Sequence, residues 1–267
     1  QKTAYEISLG LVGSEMCIRD SSERIISACY EMGVNPDRVI KLSGIGCSSK
    51  SPAYFLGSAH GFNAVHGRMP SVGTGALLAN HKLVAIGVSG DGDTGAIGIG
   101  QFVHLMRRNL PIVYIIEDNG CYGLTKGQFS PTSKIGTRSP STPAGSVDSP
   151  ISACSFALGC NARFIARSVD TNQKLLPGLL RQAKEHRGAS FVEIIQNCIV
   201  YNDGVFSSFT DKANILDGQI VCDHGEPLLF GKEKEKGLRM KPGKLELEVV
   251  SIGKDNIKEK DLSLIHI

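Results

Sequence analysis

The sequence predicts an α/β fold: a doubly wound, mostly parallel sheet with helices on both faces. Short apolar runs alternate with segments of helical spacing along residues 23–195, which is typical of repeated strand–helix units. Two of these runs, Leu83–Val88 and Ile112–Ile116, flank a segment of helical spacing from about Ala96 to Arg108. Both runs are followed by polar side chains, so the sequence also predicts chemistry at one edge of the sheet.

The remaining elements follow from the same spacing. Helices are expected over Glu23–Met32, Gly73–Asn80, Ile151–Leu158 and Gln173–His186, and strands over Arg38–Leu42, Arg163–Arg167 and Ser190–Ile195. Residues 123–150 are rich in Gly, Ser, Thr and Pro, which predicts a long functional loop that covers a ligand. The pattern weakens from Gly204 onward, and we expect residues 204–261 to form an arm or subunit-docking segment.

Composition excludes several classes of protein. The net charge of +3 is too small to indicate a nucleic-acid partner, and no apolar run reaches the length of a membrane span. Eight cysteines in 267 residues do not make a disulfide framework. A reducing cytoplasm is the expected compartment.

Both ends of the chain are expected to be translated sequencing adapter rather than protein. Residues 1–21 and 262–267 correspond to one transposase-end oligonucleotide and its flanking primer, read on opposite strands. On this interpretation the natural sequence covers residues 22–261, with a cofactor-binding domain over residues 22–203.

The turn after the first of the two apolar runs reads Gly90-Asp91-Gly92-Asp93, and the second run leads to Asn119. Neighbouring parallel strands place their carboxyl ends about 5 Å apart, so Asp91 and Asn119 could reach one cation. Two carboxylates beside a phosphorylated ligand repel it unless a divalent ion intervenes. Mg²⁺ takes a few protein oxygens and completes its shell with phosphates and water. The spacing therefore predicts a metal-bridged anionic cofactor.

Two other interpretations of this turn stay open. Residues 90–95 also match the dinucleotide-binding template G-x-G-x-x-G, with Glu117 or Asp118 as the ribose-binding acid. Alternatively, Asp91 and Asp93 only cap the helix that follows.

Several ordered motifs extend the argument beyond this turn. The sequence contains Gly44-Ile45-Gly46-Cys47-Ser48-Ser49-Lys50, His66-Gly67-Arg68, Asp118-Asn119-Gly120-Cys121-Tyr122-Gly123-Leu124-Thr125-Lys126-Gly127-Gln128 and Ser130-Pro131-Thr132. With the Gly-Asp-Gly turn and the later Asn, these resemble the β subunit of 2-oxoacid:ferredoxin oxidoreductases, most closely its 2-oxoglutarate branch. The resemblance covers most of residues 23–245.

The resemblance implies thiamine diphosphate held through Mg²⁺, with Asp91, Asn119 and the backbone carbonyl of Cys121 as metal ligands. It also implies that Lys50 is an active-site cation for the substrate, although a solvated surface lysine is the plain alternative. The residues expected to contact the cofactor are Ile45, Gly46, Cys47, Ser48, His66, Gly90, Asp91, Gly92, Asp93, Asn119, Cys121, Gly123, Leu124 and Thr125. For His66 a purely structural role is equally open.

In the family, four thiolates hold a [4Fe–4S] cluster. Cys47 and Cys198 match two of them, whereas the N-terminal C-x-x-C pair has no counterpart in this sequence. Cys29, Cys154 and Cys160 are expected to be small buried apolar residues.

The implied function is the β subunit of a 2-oxoacid:ferredoxin oxidoreductase, with 2-oxoglutarate favoured and pyruvate or branched-chain acids open. The enzyme decarboxylates a 2-oxoacid oxidatively, transfers the acyl group to CoA and passes electrons through the cluster to ferredoxin. The expected partners are the α subunit, which supplies the Glu that activates the cofactor, ferredoxin, CoA and the 2-oxoacid. No nucleic acid or membrane is expected. A nicotinamide-dependent dehydrogenase and a non-catalytic α/β binding module are the alternatives.

Overall fold

The fold was analysed in a computed structural model that describes residue 18 and residues 20–223, 225–254 and 257–263. The chain divides into two compact units, one up to Gly204 and one from Val205 onward. Within the described residues no helix is long and apolar enough to cross a membrane.

The first unit is built on a six-stranded sheet in which every pair of neighbours is parallel. The strand order is β2-β1-β3-β4-β8-β7. The strands are β1 (Val39–Ser43), β2 (His60–Asn63), β3 (Val84–Gly90), β4 (Ile112–Asp118), β7 (Phe164–Val169) and β8 (Ser190–Ile195). A short antiparallel ribbon of β5 (Cys121–Tyr122) and β6 (Gln128–Phe129) lies between β4 and β7 in sequence. The predicted α/β class and parallel sheet are confirmed.

Helices cover both faces of this sheet, because the central strands are apolar on both sides. The helices are α1 (residues 20–31), α2 (Met69–Ala79), α3 (Asp91–Gly95), α4 (Ile99–Arg108), α5 (Ala153–Gly159) and α6 (Leu175–Glu185). In β4, Tyr114 packs with α2, α4 and α5, whereas Ile115 packs on the opposite face with α1 and α6. This alternation along a strand produces two separate hydrophobic cores.

The predicted helix from Ala96 to Arg108 is wrong at its start. The chain forms one short helix over Asp91–Gly95, breaks at Ala96, and begins α4 at Ile99. Three glycines in residues 92–98 weaken helix propagation, so the turn at Asp91 is followed by a separate helix. Helix α4 ends at Asn109, whose left-handed backbone (φ 52°) forms the C-cap.

Strand β2 was absent from the sequence prediction. It is the edge strand beside β1, and all four of its residues are exposed. An exposed edge strand carries no continuous apolar run, so periodicity alone does not reveal it.

The second unit contains a three-stranded antiparallel sheet in the order β11-β10-β9. Its strands are β9 (Leu229–Phe230), β10 (Lys236–Met240) and β11 (Leu247–Ser251), and two short helices, α7 (Ser207–Thr210) and α8 (Ile215–Gly218), precede them. Val250, Ile257 and Leu262 form its small core. The expectation of a docking role for this segment stays a prediction.

The two predicted adapter segments lie mostly outside the described residues. Of the first, Ile18, Asp20 and Ser21 are described, and Ile18 and Ser21 are buried. Of the second, Leu262 and Ser263 are described, and Leu262 is buried in the core of the second unit.

Glu117, near the end of β4, is a fully buried carboxyl group. Both of its oxygens accept from Ser51 Oγ at 2.8 Å, and Oε1 also accepts from Ser21 Oγ at 2.6 Å. Burial disfavours the charged form and raises the pKa of Glu117 to about 8, although the serine hydrogen bonds oppose the shift. The folded chain therefore binds a proton here more tightly than the unfolded chain does.

We expect Phe102→Ala to lower the free energy of unfolding by about 3–5 kcal/mol, because it opens a cavity between packed aromatic rings. The Phe102 ring is 1% exposed and lies 5.4 Å from the Tyr114 ring and 5.3 Å from the Phe191 ring, centroid to centroid. Urea unfolding monitored by circular dichroism measures the loss. Leu158→Ala, at a side chain that is 67% exposed, is the control, and an equal effect of both substitutions would contradict the assigned core.

We expect Glu117 to make the chain less stable as the pH rises. The pKa of Glu117 is about 8 in the folded chain against an ordinary value of 4.5, so the stabilisation present below pH 4.5 is lost progressively up to about pH 8. The loss is at most about 1.4 kcal/mol per pH unit. Glu117→Gln should make the unfolding free energy depend less on pH over this window. Glu185→Gln, at an exposed position, is the control and should leave the pH dependence of the unfolding free energy unchanged. An unchanged pH dependence in Glu117→Gln as well would mean that the Glu117 carboxyl is ionised throughout this window, which would contradict the prediction.

Candidate cofactor site at the carboxyl edge of the sheet

A cleft lies at the edge of the sheet where β1, β3 and β4 end. Its walls are the loop after β1, the turn after β3 and the loop after β4. The lining residues are Ile45, Gly46, Cys47, Ser48, Gly90, Asp91, Gly92, Asp93, Asn119, Cys121, Tyr122, Gly123 and Leu124. The structure therefore brings together around one cleft every residue predicted to contact the cofactor except His66 and Thr125.

Sheet pairing places the predicted metal ligands side by side. Strands β3 and β4 pair in parallel with Gly90 opposite Glu117. Asp91, the first residue after β3, is therefore level with Asp118, the last residue of β4, and Asn119 follows. Asn119 Oδ1 accepts from the Cys121 backbone N–H at 3.2 Å. Asn202 Nδ2 donates to the carbonyl oxygens of Asn119 (2.9 Å) and Gly120 (3.1 Å), so the loop after β4 is held in place from outside.

Asp91 is a buried carboxyl group, 3% exposed, and desolvation raises its pKa. Asp118 is also buried, and its pKa is raised well above the ordinary value by desolvation and then by the charge of Asp91. Neither forms an ion pair with a cationic side chain in the part of the chain that the structure describes. Adjacent buried carboxyls without a counter-charge fit a divalent cation.

The donor set also fits Mg²⁺ in number. The described residues contain no metal site built entirely from protein side chains, since no group of three or more His, Cys, Asp or Glu among them could hold an ion. Asp91 and Asn119 offer side-chain oxygens, and Cys121 offers a backbone carbonyl. An ion held by so few protein oxygens needs ligand phosphates or water to complete its shell, which is how Mg²⁺ binds.

Asp93 lies on the cleft wall, but its carboxylate is occupied by protein donors. Oδ1 accepts from the backbone N–H groups of Gly67 (2.7 Å) and Ile45 (3.2 Å), and Oδ2 accepts from Ser89 Oγ (2.6 Å). Asp93 therefore ties together the loop after β1, the turn at Gly67 and the end of β3. The sequence interpretation, which treated Asp93 as a direct cofactor contact, missed this linking role.

Of the other predicted residues, His66 has its Nδ1 atom 2.7 Å from Asp93 Oδ1, and Thr125 is exposed with its hydroxyl donating to Tyr122 O at 3.2 Å. Lys50 is half-buried beside Cys47 and outside the cleft lining, and its charge acts to lower the pKa of that thiol. The roles predicted for these three residues stay predictions.

The predicted cluster ligands face a second cavity that adjoins the cleft. It is lined by Ile18, Cys47, Ser48, Asn119, Gln196, Asn197, Cys198 and Tyr201, so Cys47, Ser48 and Asn119 border both spaces. A Cβ atom added at Gly123 would lie 3.1 Å from Cys47 Sγ and 3.9 Å from Cys198 Sγ. Glycine at position 123 thus leaves room between the two thiols.

Cys198 is the thiol most readily ionised in this group. A hydrogen bond from the Cys121 thiol, helped by backbone N–H groups of Tyr201, Val200 and Asn202, lowers the pKa of Cys198 to about 6 despite burial. Burial raises the pKa of Cys47 instead. The sequence interpretation gave the Cys121 side chain no role, so its contact with Cys198 is a further correction.

Three other described cysteines of the first unit lie outside this group. Cys29 is buried in the core beneath α1 and α6, and Cys160 packs half-buried against the other core. Cys154, expected to be apolar, donates its S–H to Glu193 Oε2 at 3.1 Å, and Glu193 also accepts from Arg167 Nε.

The dinucleotide interpretation of residues 90–95 is wrong. In that template the middle glycine lets the backbone approach a pyrophosphate. Here a Cβ atom at Gly92 would lie 2.2 Å from Cε1 of Tyr122, so a protein ring covers that position. Tyr122 also donates from its hydroxyl to Gly92 O at 3.0 Å.

Comparison with known proteins agrees with this geometry. Residues 44–194 match the family model of the thiamine pyrophosphate enzyme C-terminal TPP-binding domain. The 2-oxoglutarate oxidoreductase subunit KorB of Mycobacterium tuberculosis is 42% identical over 205 residues, covering 77% of this chain and 54% of that subunit. The 2-oxoglutarate synthase subunit KorB of Methanothermobacter thermautotrophicus is 30% identical over 222 residues, covering 82% of this chain and 72% of that subunit.

A solved structure is similar as well. The 2-oxoglutarate:ferredoxin oxidoreductase from Magnetococcus marinus with 2-oxoglutarate, coenzyme A and succinyl-CoA bound matches with a TM-score of 0.66 and 34% identity, covering 71% of this chain and 64% of that one. The chain thus spans little more than half the length of the Mycobacterium relative. The chain belongs to the thiamine-diphosphate-binding β-subunit family of 2-oxoacid:ferredoxin oxidoreductases.

Proposed function

We propose that this chain is the cofactor-carrying subunit of an enzyme that oxidatively decarboxylates a 2-oxoacid, with 2-oxoglutarate as substrate, CoA as acyl acceptor and ferredoxin as electron acceptor. The observation that carries the proposal is the single cleft where Asp91, Asn119 and the Cys121 loop meet, directly beside Cys47 and Cys198. The names of relatives that act on or bind 2-oxoglutarate favour this acid over pyruvate.

In this proposal the chain holds the cofactor by its charged end. Asp91, Asn119 and the Cys121 carbonyl would hold Mg²⁺, and the ion would in turn bind the diphosphate. When bound, thiamine diphosphate supplies a carbanion that attacks a keto carbon and a ring that accepts the electron pair left by CO₂. Lys50 beside Cys47 is the cation that would bind the substrate carboxylate.

Cys47 and Cys198 would hold two corners of a [4Fe–4S] cluster in the adjoining cavity. Two thiolates are half of the usual set of four. Among the described residues, Cys47 and Cys198 are the two cysteines that match the predicted ligands. Because Cys47 borders both cavities, the cluster would lie next to the cofactor. The α subunit would complete the active site with its Glu.

We expect Asp91→Ala to weaken Mg²⁺-dependent thiamine diphosphate binding by more than about 100-fold, since direct ligands matter more than the outer partners whose loss costs about 10–100-fold. Isothermal titration of the αβ complex with thiamine diphosphate, with and without Mg²⁺, measures this. Asp148→Ala, at an exposed carboxyl in the long loop, is the control. Normal affinity in Asp91→Ala would refute the metal assignment.

We expect Cys198→Ala to reduce the iron content and visible absorbance of the αβ complex, because a thiolate that ligates the cluster is removed. Cys160→Ala, at a half-buried thiol remote from the cavity, should leave both unchanged. Full iron loading of the Cys198 variant would exclude this cysteine as a ligand, and absence of iron from the wild-type complex would exclude the proposed electron path.

A further inference from the structure

A tight turn at Ser130–Ser133, which follows β6, comes back to the metal end of the cleft. Ser133 Oγ accepts from the Ser130 backbone N–H at 2.7 Å and donates to Gly120 O at 2.6 Å. The carbonyl of Pro131 accepts from the Ile151 backbone N–H at 2.8 Å. The turn is therefore fixed to the loop after β4 on one side and to the approach to α5 on the other.

Thr132, within this turn, lies between the two buried carboxyl groups. Its Oγ1 atom is 2.7 Å from Asp91 Oδ2 and 2.9 Å from Asp118 Oδ1. Asp118 Oδ1 also accepts from the Gly120 backbone N–H at 2.9 Å, so Asp118 is held by the loop that carries Asn119. The Thr132 hydroxyl is thus a direct link between the strand ends of β3 and β4.

We propose that Thr132 is a positioning residue for the metal that binds the diphosphate, acting by fixing the orientation of the Asp91 carboxylate. The inference rests on the proposed function, and it deepens that function by adding a residue that does not line the cofactor cleft.

The physical reason is that no cationic side chain among the described residues pairs with Asp91 to orient it. A buried carboxylate beside a second carboxylate is repelled from it, and rotation about its Cβ–Cγ bond moves both oxygens. The Thr132 hydroxyl offsets this repulsion and holds Oδ2 in place. It does so together with the Ser130 hydroxyl and the backbone N–H groups of Asp91 and Gly92, which also hydrogen-bond to the Asp91 carboxylate. Threonine suits the task because its branched Cβ restricts the side-chain rotamer. Outer partners of this kind commonly control metal affinity.

The test compares Thr132→Val, which keeps the shape and removes the hydroxyl, with Thr132→Ser, which keeps the hydroxyl. We expect the valine variant of the αβ complex to bind thiamine diphosphate about 10–100-fold more weakly at fixed Mg²⁺ and to need correspondingly more Mg²⁺ for half-saturation. The serine variant should restore most of the affinity. Titration calorimetry and a Mg²⁺ titration at fixed thiamine diphosphate measure both quantities without turnover.

Thr137→Val is the matched control, because Thr137 in the same long loop donates its hydroxyl only locally, to Lys134 O at 2.6 Å. It should bind like the wild type. Thr132→Ala is a second variant without the hydroxyl, used if the valine variant melts early. Wild-type affinity in the hydroxyl-free variants, or an equal loss in the serine variant, would overturn the inference. Failure of the wild-type complex to bind thiamine diphosphate would instead refute the proposed function.

Discussion

The parallel pairing of β3 with β4 is the interaction on which the site depends. Its register sets Gly90 opposite Glu117, so Asp91 after β3 is level with Asp118 at the end of β4, and Asn119 follows in the next position. A shift of one residue would turn these side chains to the opposite faces of the sheet, because side chains alternate along a strand. The two hydrophobic cores fix the register, since Tyr114 and Ile115 must each meet a different layer of helices.

This register concentrates carboxyl groups in a buried part of the structure. Asp91, Asp118 and Glu117 are all buried, and burial raises the pKa of each of them. Such a cluster costs stability unless protons, hydroxyl groups or a metal compensate it. Hydroxyl groups hydrogen-bond to all three carboxyls: Ser51 contacts Glu117, and Thr132 lies between Asp91 and Asp118. A hydroxyl group stabilises a buried carboxylate without adding a counter-charge, so the Thr132 contact leaves Asp91 free to bind a cation.

The second feature of the site is the thin wall between its two cavities. Cys121 lines the cleft, while its thiol donates to Cys198, which lines the adjoining cavity. Gly123, in the same short segment, keeps a space open between Cys47 and Cys198. One loop after β4 therefore borders both spaces through Asn119.

The sequence by itself determined the fold class, the order of most elements and the residues that line the cleft, because strand periodicity and strand-end motifs are local properties of the chain. It did not reveal β2, which is exposed, or the break at Ala96. Nor did it reveal the linking role of Asp93, the contact of Cys121 with Cys198 or the position of Thr132. These depend on which segments approach one another, since Thr132 lies 41 residues from Asp91 in the chain. Only the tertiary structure decides such contacts, because hydrogen-bond partners distant in sequence are set by packing rather than by local pattern.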